Sequence, residues 1–328
     1  MMALIQITPW HWAGFVLCIL FFLALDLGVF HRESHVVKFK EALAWSVVWV
    51  TLSLLFAGAL VFTRGRTEAV EFVTGYIIEL SLSMDNVFVI ALIFAYFRVP
   101  PQFQHRVLFW GILGALVMRG AMILAGAALI QRFQWTLYLF GAFIVFTGIK
   151  MLVTDEKEVH PEKNPVIRLA RKIFPVADQL HGEKFIVRVN GRTLLTTLAL
   201  VLIMVETTDL IFALDSIPAI FAVTTKPFIV FTSNVFAILG LRSLYFVLAG
   251  AIEYFRYLKI GLSVVLVFIG AKMLLAPHGA EESARYWFQV EIPIVTSLLV
   301  VAAILAVSIA LSITAAQREK AAAQKPSK

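Results

Sequence analysis

The feature that most limits what this chain can become is the spacing of its charges. Nine stretches of roughly 20 residues or more are nearly free of them, at about 10–30, 41–63, 69–97, 105–130, 134–153, 193–223, 228–251, 257–275 and 291–314. A run of that length spans the hydrocarbon of a bilayer as a helix, and a helix satisfies its own backbone polar groups there. Of the 328 residues, 60% are hydrophobic and only 15% charged, with mean hydropathy +0.88. A soluble domain carries more charge and shorter apolar runs. The expected fold is therefore an all-α polytopic membrane protein with about nine transmembrane helices.

The net charge of +7 does not point to nucleic acid, because the basic residues lie in loops beside the spans. The loops after spans 1, 3, 5 and 7, together with the C-terminal tail, hold 19 Lys and Arg, against 5 on the other side. The positive-inside rule then puts the N-terminus outside and the C-terminus in the cytoplasm. The first span lacks a basic leader and a small-residue cleavage site, so it is expected to stay in the mature protein. Residues 1–66 read as two N-terminal helices, 67–153 as one three-helix unit and 154–192 as a cytoplasmic loop. Residues 193–276 read as a second three-helix unit, and 277–328 as a final helix with a tail expected to be disordered. In the loop, Val166, Ile167, Leu169 and Ile173 interleave with Arg168, Arg171 and Lys172, as in a basic amphipathic helix on the inner leaflet. Asn190-Gly191 between β-prone runs signals a hairpin.

Spans 3–5 recur as spans 6–8. Aligning Asp85 with Asp215 sets Glu79 opposite Asp209, and each following span carries one buried arginine, Arg119 and Arg242. Val145-Phe-Thr-Gly-Ile-Lys-Met-Leu matches Val267-Phe-Ile-Gly-Ala-Lys-Met-Leu at six of eight positions. A unit with three crossings enters its second copy from the opposite side, so the repeats are expected to be inverted, as in many secondary transporters.

Glu79, Asp85, Glu206, Asp209 and Asp215 are five acids within apolar spans, with Arg119 and Arg242 as two bases. Ionisable groups there are costly and read first as functional. On a helix Glu79, Ser83 and Asn86 share a face, as do Asp209, Ala213 and Ser216, while Asp85 and Asp215 point about 120° away. Either the two faces serve different partners, or the helices are broken; Pro218 would strip the Leu214 carbonyl of its usual donor. If each arginine takes one acid, three acids remain and need protons or a cation. Carboxylates, an amide and carbonyls suit a hard divalent ion such as Mn²⁺, Mg²⁺ or Ca²⁺, and Met84 and Met204 would tilt the choice toward a transition ion. No buried histidine activates Ser81, Ser83 or Ser216, and no phosphate-cradling glycine motif is present, so enzymatic chemistry is not expected. The single cysteine, Cys18, permits no intrachain disulfide.

These residues resemble the TerC family of membrane proteins. The likeness rests on Glu79 with Asp85-Asn-Val-Phe-Val89, on Asp209-Leu-Ile-Phe-Ala-Leu-Asp-Ser-Ile-Pro-Ala219, on Ser233-Asn-Val-Phe-Ala-Ile-Leu-Gly-Leu-Arg242 and on the two Lys-Met-Leu span ends. The resemblance implies a bacterial inner-membrane protein with an extracytoplasmic N-terminus, metal-ion export (chiefly of manganese) and a link to tellurium resistance. It carries Glu79, Asp85, Asn86, Asp209, Asp215 and Ser216 over as ion residues. The expectation is thus a proton-coupled Mn²⁺ exporter working by alternating access within the lipid bilayer, with no permanently bound cofactor and no nucleic-acid partner. Asp85 and Asp215 would be the main ligands, helped by Asn86 and Ser216. Glu79, Glu206 and Asp209 would complete the shell or carry protons, and Arg119 and Arg242 would gate by ion pairing. The rivals are an oxyanion or tellurium-compound exporter using the two arginines, and a membrane scaffold acting through the 154–192 loop.

Overall fold

A computed structural model describes residues 7–25, 39–153, 165–176, 182–189, 191–249, 257–277 and 289–323. Among them are eight helices long and apolar enough to cross a membrane. They are α2 (Phe39–Thr63), α3 (Arg66–Tyr96), α4 (Pro101–Arg132), α5 (Thr136–Val153), α7 (Thr197–Phe221), α8 (Pro227–Ala249), α9 (Leu258–Leu275) and α10 (Ile294–Ala323). A shorter apolar helix, α1 (Pro9–Leu25), precedes them; the rest of the expected first span, with Asp26, lies outside the described residues. The chain is an integral, multi-pass, all-α membrane protein.

The outward faces carry Leu54, Leu55, Phe62, Val117, Phe146 and Leu299, all more than half exposed in the isolated chain. Lipid tails rather than water are the solvent for such faces, and the helices must then associate by close packing and polar contacts. The α5–α9 pair does the first. A Cβ on Gly148 would lie 3.0 Å from the Ser263 carbonyl oxygen and 2.9 Å from Val267 Cγ2. One on Gly270 would lie 2.8 Å from the Gly141 carbonyl oxygen and 2.7 Å from Val145 Cγ2. Only glycine lets the two backbones come so near. The contacts are reciprocal: the sequence alignment that sets Gly148 on Gly270 and Val145 on Val267 also exchanges one contact set for the other. The centre of the bundle is built likewise from α3 packed on α8 and α4 packed on α7, with α3 also against α7.

Two boundaries differ from the sequence expectation. Arg192–Leu195 form strand β2, paired antiparallel with β1 (Ile186–Val189), so the sixth span starts at Thr197 rather than 193. Thr196 caps that helix, its hydroxyl accepting from the Ala199 amide at 3.4 Å. Gly191 takes φ +76°, as a tight hairpin turn requires; Asn190 lies outside the described residues. At the other end α10 continues through the polar tail to Ala323. Ala, Gln, Arg, Glu and Lys are all strong helix formers, and that local preference extends the span past the last apolar turn. The amphipathic segment is helix α6 (Pro165–Ile173). Ile167 is buried in the same cluster as Leu198 and Val201 of α7, while Val166, Leu169 and Ile173 stay exposed.

Candidate functional site

The face Glu79–Ser83–Asn86 of α3 is buried along its length, at 0%, 1% and 4% exposure, as spacing of three and four residues requires. From α4, Arg119 reaches into this face and is itself 1% exposed. Its Nη1 donates to Glu79 Oε1, and its Nε and Nη2 donate to Asp209 Oδ2 and Oδ1 at 3.0 and 2.6 Å. One planar guanidinium thus joins α3, α4 and α7, using its fork on Asp209, which a lysine cannot imitate. Two carboxylates on one guanidinium leave the cluster one negative charge in excess. Glu79 Oε2 is buried without a hydrogen-bond partner. Glu206 lies one turn before Asp209, its Oε2 likewise buried and unpartnered. Its carboxylate occupies the space that a Cβ on Gly114 would fill.

Asp85 and Asp215 lie on the other face of their helices. Both line a cavity of about 350 Å³ together with Asn86 and Ser216. Asn86 and Ser216, which belong to the Glu79 and Asp209 faces, thus share one cavity with Asp85 and Asp215. α7 runs without a break through Pro218 to Phe221, so the helix is not interrupted to make the site. Asn86 Oδ1, Ser216 Oγ and Ser83 Oγ are buried acceptors without a partner. The donor set facing the cavity is oxygen-rich and of the hard kind. Among the described residues, however, no three of His, Cys, Asp and Glu converge closely enough to hold a metal ion. An ion here would keep part of its water shell.

Two lysines that the sequence did not single out, Lys150 of α5 and Lys259 of α9, line the same cavity, with Thr147 and Thr208. The signal for Lys150 was available: it is one of the six identities in the repeated span end. Arg242 is placed elsewhere. It lines a small cleft with Leu23, Trp45, Trp49, Phe109 and Ser243, between α1, α2, α4 and α8.

A further charged group, also missed, sits where α3 begins. Glu68 accepts from Arg64 Nε at 2.8 Å and pairs with Lys226 Nζ at 3.3 Å. Glu71 accepts from the Thr224 hydroxyl at 2.8 Å and from Lys226 Nζ at 3.1 and 3.2 Å. Both glutamates are buried, although they lie at the end of the span, where an acid is ordinarily read as facing the headgroups.

A bundle of apolar helices, with two acids and an arginine paired in its buried interior, defines an integral membrane protein. Residues 64–320 match the integral membrane protein TerC family, and the chain belongs to that family. It is 52% identical over 306 residues to an uncharacterized membrane protein of Myxococcus xanthus, covering 93% of this chain and 92% of that one. It is 53% identical over 277 residues to the putative membrane-bound redox modulator Alx of Escherichia coli K12, covering 82% of this chain and 86% of the relative. The protein of the same description from Salmonella typhi is 49% identical over 314 residues, covering 93% of this chain and 94% of that one. No solved structure matches.

Proposed function

We propose that this protein is a secondary transporter that carries a divalent cation, with Mn²⁺ the leading cargo, out of a bacterial cell across the inner membrane. The observation that carries the reading is the cavity in which Asp85 and Asn86 of α3 meet Asp215 and Ser216 of α7. Carboxylates, an amide and a hydroxyl in one mid-bundle space suit a hard or borderline divalent ion as substrate. Membership of the TerC family supports the same cargo, and the direction of transport rests on the family resemblance alone. The positive-inside count gives the cavity a cytoplasmic mouth, with the N-terminus extracytoplasmic.

On this reading spans 3–5 and 6–8 are inverted repeats, and the reciprocal glycine contacts of α5 and α9 support that symmetry. The Glu79–Arg119–Asp209 cluster is the layer that must rearrange before the ion reaches the far side. Its excess negative charge, with Glu206 nearby, is where a counter-transported proton would be held. The reaction is transport rather than catalysis. Arg119 offers an oxyanion no free fork, since Nε, Nη1 and Nη2 are all engaged by carboxylates, which disfavours an oxyanion path through it. A thiol–disulfide role, which the relatives' description as redox modulators would bring, finds one cysteine, Cys18, and no pair.

The test is cell-associated manganese in a manganese-sensitive bacterium without exporters of its own, carrying the native chain or Asp85→Asn, with membrane levels matched. The native chain lowers manganese and restores growth; Asp85→Asn does neither. Equal rescue by both would remove Asp85 from the ion path, and no rescue by the native chain would refute the metal assignment.

A further inference from the structure

The second cavity of the bundle, about 280 Å³, lies at the opposite end from the Asp85–Asp215 cavity, where α7 passes into α8. Glu71, Thr224, Thr225, Lys226 and Lys272 supply its polar lining. The two cavities are related by the alignment of the repeats. Lys150 and Met151 line the first; their equivalents Lys272 and Met273 line the second. Continuing that alignment back along both helices sets Lys259 of the first cavity opposite Leu137 of the second.

The chemistry of the two differs. Lys150 shares its cavity with two carboxylates, those of Asp85 and Asp215. Lys272 shares its cavity with one, Glu71, and that carboxylate is already engaged by the Thr224 hydroxyl and by Lys226. Lys272 is 8% exposed, and its ammonium has no hydrogen-bond or ion-pair partner among the described residues. Among the described residues Glu68 pairs with Arg64 and Lys226, and Glu71 with Lys226, so neither carboxylate is paired with Lys272. An ammonium that faces the cavity from a largely buried side chain draws an anion into it. The remaining donors of the cavity are of the matching kind. They are the Thr225 hydroxyl and the Lys226 ammonium.

We propose that this cavity binds a phosphate-class oxyanion, with Lys272 as its principal counter-charge and Lys226 and Thr225 as further donors. A tetrahedral oxyanion with several acceptor oxygens uses donors from α9 and from the α7–α8 connection. The phosphate of a lipid headgroup and free inorganic phosphate share this chemistry, and the cavity's place at the bundle end is open to either. The site is independent of the ion path proposed above.

The test uses the full-length chain in detergent with EDTA present, so that no metal bridges the ligand, and measures equilibrium binding of radiolabelled inorganic phosphate. The native chain binds saturably, one phosphate per chain. Lys272→Met weakens binding at least tenfold, Lys272→Arg retains it, and Lys150→Met leaves it unchanged; gel filtration and unfolding temperature verify that each variant is folded. The same measurement in nanodiscs separates the sources. If the occupant is a headgroup, phosphatidylglycerol bilayers suppress phosphate binding tenfold or more while phosphatidylcholine bilayers do not, and phospholipid phosphorus co-purifies with the native chain but not with Lys272→Met. If it is free phosphate, both bilayers leave binding unchanged. Equal binding by the native chain and Lys272→Met overturns the assignment. So does the absence of both saturable phosphate binding and co-purifying phospholipid.

Discussion

Replacing Arg119 by leucine tests the central cluster most directly. The side chain is 1% exposed and donates three charge-assisted hydrogen bonds, two to Asp209 and one to Glu79. Each such bond contributes about 1.5–3 kcal/mol when considered alone. Their sum overstates the effect, because the three act through one rigid group. Breaking a buried ion pair by removing one partner costs about 3–5 kcal/mol, most of it the exposure of the surviving charge to an apolar surround. Arg119→Leu leaves two carboxylates, so the expected loss is about 4 kcal/mol. If uncompensated charge is the cause, neutralising the carboxylates must restore stability. The combined variant Arg119→Leu, Glu79→Gln, Asp209→Asn should recover at least half of the loss, a coupling of about 2 kcal/mol or more. Arg119→Lys should fall between, since an ammonium keeps the charge without the fork. The assay is reversible unfolding of the purified chain in mixed micelles, followed by helical circular dichroism. A loss under about 1 kcal/mol for Arg119→Leu, or a combined variant no more stable than the single one, would refute the reasoning.

Gly148→Ala and Gly270→Ala each push a methyl group onto backbone of the facing helix, and each should cost about 1–3 kcal/mol in the same assay; a cost at one position alone would contradict the reciprocal packing. Gly58, whose Cβ would meet nothing within 4 Å, serves as control: Gly58→Ala should be neutral or stabilising by up to about 1 kcal/mol. Gly114→Ala places its methyl on the Glu206 carboxylate, and manganese export should drop about tenfold or more with membrane levels maintained; unchanged export would remove Glu206 from the mechanism. Lys226→Met should cost about 1 kcal/mol or less, because its side chain is 42% exposed and solvent screens its pairs with Glu68 and Glu71.

The parts of the fold that were legible in the sequence are those controlled by local physics. The length of an apolar run decides whether it can span, so α2 to α5 and α7 to α10 were identified within a few residues at most ends. The i, i+4, i+7 spacing of Glu79, Ser83 and Asn86 was sufficient to put them on one buried face. The hairpin around Gly191 was legible as well; what local reasoning misjudged was that its second strand, Arg192–Leu195, was also counted, from Thr193 on, into the sixth span, and that helix preference carries α10 past Thr314. Pairings across the bundle were not legible. Nothing in one chain tells which of five acids Arg119 takes, because that depends on how α3, α4 and α7 cross. Lys150, Lys259, Glu68 and Glu71 were passed over for a related reason. Near the end of a span, a long charged side chain ordinarily reaches back to the headgroups, and only the packed bundle turns it inward.

The arrangement of charge also constrains how the proposed transport cycle can run. α3 carries acids at three levels: Glu68 and Glu71 at one end, Glu79 in the middle and Asp85 toward the other. The first pair is held by Lys226 and the middle one by Arg119, each from a different neighbouring segment. Any shift of α3 against α7 large enough to open the middle must separate Glu79 from Asp209 or draw Arg119 away from one of them. A ligand shifts such an equilibrium only by its difference in affinity for the two states. A divalent cation in the cavity lined by Asp85 and Asp215 touches the same two helices that Arg119 joins, which run in opposite directions, so Asp85 and Asp215 lie on opposite sides of the Glu79–Asp209 level. On the proposed cycle such an ion brings positive charge to these helices when the arginine lets go. With no ion in the cavity, release would leave the Glu79 and Asp209 carboxylates without their arginine. On the proposed cycle the energetic penalty on that empty crossing would keep the pathway from leaking, and it rests on the Glu79–Arg119–Asp209 pairing that ties α3 to α7.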